Sequence, residues 1–321
     1  MPRSTFPYAA ADLDRFRQVQ RVAYDIALRV ESQLQAGITE AEACTLIAAA
    51  QAEHEVIQVF HRPYAWFGSH TVPGYEDGLA GTGTGTGAGA GTDGASTSAV
   101  DLAATGVEPS ASMFPTDQRL VDGDSVILDL APVAHGVASD VAYSCAFGHN
   151  DVFAELDAGL ARIRTTILEG IRAGGSMLML YHELDEQLAE HGWISCYHRY
   201  ADRALGHLVF PLGHDPERSS PLPGWGTAAA EQMLAAGIEA LDHGTCYPLW
   251  NDSAFTDYPA TPGLWAIEPH IGRDGTGVKF EELLVVTGDD AYWLDDHLPH
   301  TQRWAAAGYS AAPLGGGRPR A

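Results

Sequence analysis

Asp122-Gly123-Asp124-Ser125-Val126-Ile127-Leu128-Asp129-Leu130 is the stretch on which the reading of this chain turns. Asp122-Gly123-Asp124 is a turn signal, and the aliphatic run behind it reads as a buried strand. One residue breaks the run. A carboxylate such as Asp129 in a sheet core is costly unless it is paired or bound to a metal. The same conflict recurs outward from this point. Asp140 follows 11 residues later in Ala138-Ser139-Asp140-Val141-Ala142. Glu268 closes Leu264-Trp265-Ala266-Ile267-Glu268-Pro269, and Glu281 sits in Val278-Lys279-Phe280-Glu281-Glu282-Leu283. With 18 Lys and Arg against 42 Asp and Glu, four such carboxylates are hard to satisfy with side-chain cations, and divalent ions would serve. His207, in Ala204-Leu205-Gly206-His207-Leu208-Val209-Phe210, adds a nitrogen donor in an equally apolar setting. Oxygen-rich ligation with one histidine suits Mn, Fe, Co or Zn better than a softer metal that seeks thiolates. Two ions sharing bridging carboxylates can activate water near neutral pH and polarise a carbonyl. Any one of these residues alone is more often a turn, edge or hydrogen-bonded core residue; the weight lies in the set of five and its order.

The whole chain bounds this reading. Its 321 residues suffice for a sizeable core, and 45% apolar content is ordinary for a globular protein. A formal charge of −24 should repel nucleic-acid phosphates and anionic membranes, so neither is an expected partner. Residues 1–11 carry no basic stretch followed by an apolar run, and no stretch is long enough to span a bilayer; no signal peptide and no transmembrane helix are expected. Cys44, Cys145, Cys196 and Cys246 form no CxxC motif and read as reduced thiols of a cytoplasmic protein.

Periodicity predicts an amphipathic helix over 12–36, stopped by Gly37, and a second from Thr39, where Glu42 completes a capping box. Residues 78–105 are glycine-rich and read as a flexible loop. The alternating glycines lack the GK[ST] ending of a nucleotide loop, and no clear strand precedes them. Further strands are expected over 137–147, 264–267, 278–287 and 291–294. Helices are expected over 151–173, 176–191 and 227–241, and a frayed tail after 304. The joints Ala36-Gly37-Ile38-Thr39 and Ala173-Gly174-Gly175-Ser176 each link two helices, after which each part of the chain runs on into strands. Two similar α+β halves leave a cleft between them, a common place for a site.

The order Asp129, Asp140, His207, Glu268, Glu281 resembles that of the creatinase/methionine aminopeptidase/Xaa-Pro aminopeptidase family. Gly123-Asp124-Ser125-Val126-Ile127-Leu128-Asp129 is similar to its GDxVxxD strand and Ser139-Asp140 to its SD. Gly206-His207 resembles the start of GHGxG, and Ile267-Glu268-Pro269 resembles IEP. Glu281 through Thr287 resembles ExxxxVT, and Ala36-Gly37-Ile38-Thr39-Glu40 resembles AGxTE. The likeness covers roughly residues 12–295. It implies an α+β pita-bread fold, with two pseudo-symmetric halves around a curved antiparallel sheet in one catalytic domain over 1–321. It further implies two divalent ions: Asp129 on one, Asp140 and Glu281 bridging, His207 and Glu268 on the other. Glu268 would also shuttle a proton to the leaving amine. His214, seven residues after His207, would contact the substrate carbonyl.

Departures from the family pattern bear on the pocket. The family's peptidases carry a histidine about 17 residues before the first Asp, where this chain has Ser112; His70 is the candidate to replace it from another loop, the alternative being a surface loop residue. GHGxG has become Gly206-His207-Leu208-Val209-Phe210. The span 215–262 is longer than usual, with Trp225, Trp250 and Phe255 as cleft walls or ordinary core. His198 and Arg199 precede the metal histidine and are pocket candidates. The chain begins at the first catalytic-domain helix, without a creatinase-type N-terminal domain. The expected function is hydrolysis of an N-terminal peptide bond, Xaa-Pro or related, or of a small amide. The alternatives are iron-dependent oxidation of a small molecule on the same ligands, and a binding relative without catalysis. A small peptide or amide is the expected partner, and a homodimer stays open.

Overall fold

The computed structural model describes residues 7–54, 56, 58–74, 114–200, 202–210, 247–309 and 312–314. The glycine-rich segment 78–105, the expected helix 227–241 and Trp225 lie outside them.

In the first half, α1 (Ala10–Glu31) turns Phe16, Val19, Ala23, Ile26 and Val30 inward. Gly37, at φ +89°, reverses the chain in a backbone conformation that favours glycine. α2 (Glu40–Glu53) then starts with the expected box: Thr39 Oγ1 accepts the Glu42 N–H, and the Glu42 carboxylate accepts the Thr39 N–H at 2.8 Å. After β1 (Gln58–Val59) come β2 (Tyr64–Phe67), β3 (Asp124–Leu130), β4 (Pro132–Ala134), β5 (Val137–Ala138) and β6 (Val141–Phe147). β2, β3 and β6 form one antiparallel sheet, which α1 and α2 cover through Ala23, Ile47, Ala65, Val126 and Leu128. β1, β4 and β5 form a small second sheet.

The second half repeats the plan. α3 (Asp151–Arg172) and α4 (Met177–Glu190) are joined through Gly174, with Ser176 as N-cap of α4. β7 (Ile194–Ser195), β8 (Gly206–Val209), β9 (Leu249–Trp250) and β10 (Gly263–Ile267) follow. The chain continues through β11 (His270–Arg273), β12 (Thr276–Lys279), β13 (Glu282–Val286) and β14 (Ala291–Trp293) to α5 (Pro299–Ala307). The main sheet has the order β14-β13-β10-β8-β9, and β12-β11-β7 pair beside it; all pairings are antiparallel. Leu156, Leu160, Tyr181, Trp250, Trp265 and Phe280 are part of the core between these helices and strands.

Three expectations are corrected. The strand regions 137–147 and 278–287 are each broken, at Ser139-Asp140 and at Phe280-Glu281. Each break lets an acidic residue leave the ladder, so periodicity alone could not place it. The tail does not fray from 304: α5 runs to Ala307, and Leu314 is buried, its N–H donating to Thr166 Oγ1 at 2.8 Å. The anchor is Asp157, which accepts hydrogen bonds from Arg303 and from Trp304 Nε1. Trp250 is a core residue and Phe255 is exposed. Cys44, Cys145 and Cys196 are free thiols. Among the described residues no helix is long and apolar enough to cross a membrane.

Candidate metal centre

The five acidic and imidazole side chains singled out in the sequence converge where the halves meet. Asp129 is the penultimate residue of β3, paired across to Ala142 of β6. The Glu281 N–H donates to Ala142 O at 3.1 Å, which brings the break between β12 and β13 against the first half. Ser144 Oγ fixes the same junction, donating to Lys279 O at 2.6 Å and accepting the Lys279 N–H at 2.7 Å. Tyr24 OH donates to Glu281 O at 2.9 Å. In the second half His207 pairs with Ala266, and the Glu268 N–H donates to Leu205 O at 2.9 Å. The same strand, β10, sets Ile267 opposite Glu282 of β13. Three short ladders thus aim side chains far apart in sequence at one point.

Two trios have donor atoms mutually within 4.8 Å: His61, Asp129 and Asp140, and Asp140, His207 and Glu281. His207 Nε2 lies 3.8 Å from Asp140 Oδ2 and 3.7 Å from Glu281 Oε1. A cation about 2.1 Å from each donor spans up to about 4.2 Å, so this trio has the right opening. The buried oxygens Asp129 Oδ1 and Glu281 Oε1 have no hydrogen-bond partner among the described residues. An unpartnered buried carboxylate oxygen beside an imidazole and a second carboxylate fits a divalent ion.

Two basic side chains, Lys279 and His61, complete the cluster. Lys279 Nζ stands 2.8 Å from Asp129 Oδ2, 2.9 Å from Glu268 Oε2 and 3.1 Å from Glu281 Oε2. His61 Nε2 lies 2.8 Å from Asp140 Oδ1 and 3.3 Å from Asp129 Oδ1, while its Nδ1 faces Arg62 O at 2.6 Å. Neither residue was singled out in the sequence. His61 carries no pattern in Phe60-His61-Arg62. Lys279 did carry a signal, since it is the sole lysine of the chain.

Electrostatics follow from burial and crowding. Burial opposes charging His61, but Asp140 and Asp129 outweigh it and carry the imidazole up to about 10. Burial likewise opposes charging His207, and Asp140 and Glu281 raise it well above the usual histidine range. The Asp140 carboxyl is held far below its ordinary value, because His61 and His207 overcome its burial. Glu268 moves the other way: burial pushes it to about 8 despite Lys279. Glu281 is raised by burial and by Asp140.

The remaining expected site residues divide. His214 and Ser112 lie outside the described residues. His70 Nδ1 sits 2.7 Å from the Oε1 of buried Glu40, which also accepts the Phe67 and Thr116 N–H groups. His198 Nε2 sits 2.8 Å from Asp185, and Arg203 donates to its Nδ1 at 2.8 Å. A substrate contact by either histidine would require exchanging these pairings.

An α+β molecule of two repeated antiparallel halves, with carboxylates and histidine gathered between them, is a pita-bread protein. Residues 14–288 match metallopeptidase family M24, and the chain belongs to that family. Similar solved structures include an X-Pro aminopeptidase from Thermotoga maritima MSB8, with TM-score 0.57 and 13% identity over 90% of this chain and 62% of that one. A prolidase from Pyrococcus furiosus gives TM-score 0.54 and 13% identity over 90% and 65%. Dipeptidase PepE from Mycobacterium ulcerans gives 0.53 and 17% over 92% and 60%. The chain thus spans less than two thirds of the length of these proteins. No curated protein matches the sequence.

Proposed function

We propose that this chain is a metal-dependent hydrolase that cleaves the amide bond at the amino end of a short peptide, Xaa-Pro or related, or of a small amide. The observation that carries the reading is the trio Asp140, His207 and Glu281, open by 3.7–3.8 Å about His207 Nε2 and with Glu281 Oε1 unpartnered. These three residues would hold a divalent ion, of the Mn, Fe, Co or Zn type by donor chemistry. Such an ion, when bound, lowers the pKa of water and polarises the scissile carbonyl.

The chain's own residues supply the rest. Glu268, with a proton affinity raised to about 8, suits the transfer of a proton from attacking water to the departing amine. His207 and Glu281 are carried on or beside strands, which holds them rigidly. His214, from its spacing after His207, is assigned to hydrogen-bond the substrate carbonyl oxygen. Asp129 was expected to hold a second ion. In its present pairing it accepts from Lys279 instead, with His61 beside it. The similar solved structures are an X-Pro aminopeptidase, a dipeptidase and a prolidase, which supports a peptide substrate. No observation favours the oxidative alternative, and the gathered ligands speak against a non-catalytic relative.

The test is elemental analysis of the purified protein together with assays on Xaa-Pro, Met-Xaa and small amide substrates. Release of the amino-terminal residue that chelator abolishes and divalent metal restores supports the reading. Stoichiometric metal with no release from any of these substrates would sink it.

A further inference from the structure

The inference deepens the reading of a metal hydrolase and rests on it. The two carboxylates that the resemblance makes bridging ligands each divide their oxygens between different partners. Asp140 turns Oδ1 to His61 at 2.8 Å and Oδ2 toward His207 at 3.8 Å. Glu281 turns Oε2 to Lys279 at 3.1 Å and Oε1 toward His207 at 3.7 Å. Asp129, expected to hold the other ion, faces Lys279 with Oδ2 at 2.8 Å and His61 with Oδ1 at 3.3 Å. Asp129 Oδ2 and Glu281 Oε2 thus face the Lys279 ammonium, while Asp140 Oδ2 and Glu281 Oε1 face His207 across an opening of metal dimensions.

Lys279 is built into this position. An ammonium has three N–H donors, and its Nζ has three carboxylate oxygens from three residues at 2.8–3.1 Å. Its backbone is clamped on both sides by Ser144 Oγ and paired with His270 of β11. Its Nζ lies 5.4 Å from the centre of the Tyr200 ring, and the residue is only 4% exposed. A compact ammonium with three rotatable donors suits three carboxylates converging on one point. This chain uses 17 arginines elsewhere and its sole lysine here. The ammonium already neutralises one oxygen each of Asp129, Glu268 and Glu281, so a second dication would have to displace it or share these carboxylates with it.

The geometry points to a centre that takes one metal ion per chain, at Asp140, His207 and Glu281, with the Lys279 ammonium occupying the position of the second cation. Lys279 is a positioning residue here. It holds Asp129, Glu268 and Glu281 in register so that Glu281 offers Oε1 to the ion.

The experiment is metal counting on the full chain, stripped and then reloaded with excess Mn²⁺, with the Mn²⁺ electron paramagnetic resonance spectrum as the second readout. One equivalent with an uncoupled signal is expected. Two equivalents with a spin-coupled signal overturn the inference while leaving the hydrolase reading intact; no bound metal overturns both. Lys279→Met, which keeps the length and removes the charge, should raise the count from one to two, and an unchanged count in folded variant overturns the role of Lys279. Should that variant fail to fold, the wild-type chain still decides. Its only primary amines are Lys279 and the N-terminus, so reductive methylation with labelled formaldehyde reads Lys279 directly. Protection in the metal-loaded protein supports the assignment, and methylation as fast as in unfolded chain rejects it.

Discussion

The ammonium of Lys279 and the carboxylate of Asp129 meet at 2.8 Å across 150 residues of sequence, joining the end of β12 to β3. Lys279 also lies on Glu268 and Glu281, so its loss leaves three buried carboxylates without their cation. Removing one partner of a buried pair typically costs about 3–5 kcal/mol. In the presence of chelator, Lys279→Met should lower unfolding stability by at least about 3 kcal/mol. Urea denaturation with and without divalent metal checks this, and metal should rescue the variant more than the wild type. Equal stability of the two metal-free proteins would show that the contact is not formed in solution.

Asp140 belongs to both donor trios. Asp140→Ala should therefore remove metal binding and activity together, with affinity falling by more than about 100-fold, beyond what loss of an outer partner produces. Isothermal titration with Mn²⁺ provides the measure. Full occupancy in that variant would overturn the ligand assignment.

His214→Ala separates binding from turnover. The variant should keep its metal and lose about 100-fold in kcat, the range seen when one oxyanion donor is removed. Unchanged turnover would mean that the seven-residue spacing after His207 misassigns it.

Gly206 is required by a close approach. A Cβ built there would lie 2.5 Å from Ala266 O, the strand partner region that also carries Glu268. Gly206→Ala should push β8 from β10, destabilise by about 2 kcal/mol and weaken metal binding through His207. Calorimetry and metal titration on one sample test both effects, and a variant with wild-type Tm contradicts the packing argument.

Asp185 gives a pH signature away from the centre. Burial opposes its charge, but hydrogen bonds from His198, Tyr197 and Ser195 prevail and hold its carboxyl below the ordinary value. The unfolded chain then takes up the proton first as pH falls. The stabilisation is present above the unfolded pKa of about 3.9 and is lost as pH drops through the folded value. Asp185→Asn should flatten the loss of stability below about pH 4. Parallel acid slopes for wild type and variant would count against this network.

The helices α1 to α4, the capping box at Thr39 and Glu42, and the strands around Asp129 and Glu268 were legible because each depends on neighbours within a few positions. The five ligand candidates were legible too, since a carboxylate amid Val, Ile and Leu is a local contradiction that demands a partner. The breaks at Asp140 and Glu281 were not, because a strand ends there for the sake of contacts such as Glu281 N–H to Ala142 O, made with the other half. Nor does the sequence place Trp304 and Leu314, whose order comes from docking on α3.

The sequence by itself determined the family, the repeated α+β plan and the identity of the acidic set. Only the tertiary structure decided which basic side chain each of those carboxylates faces. His61 and Lys279 reach Asp129 from 68 and 150 positions away, and charge pairing at such separations depends on angle and distance after folding rather than on order in the chain.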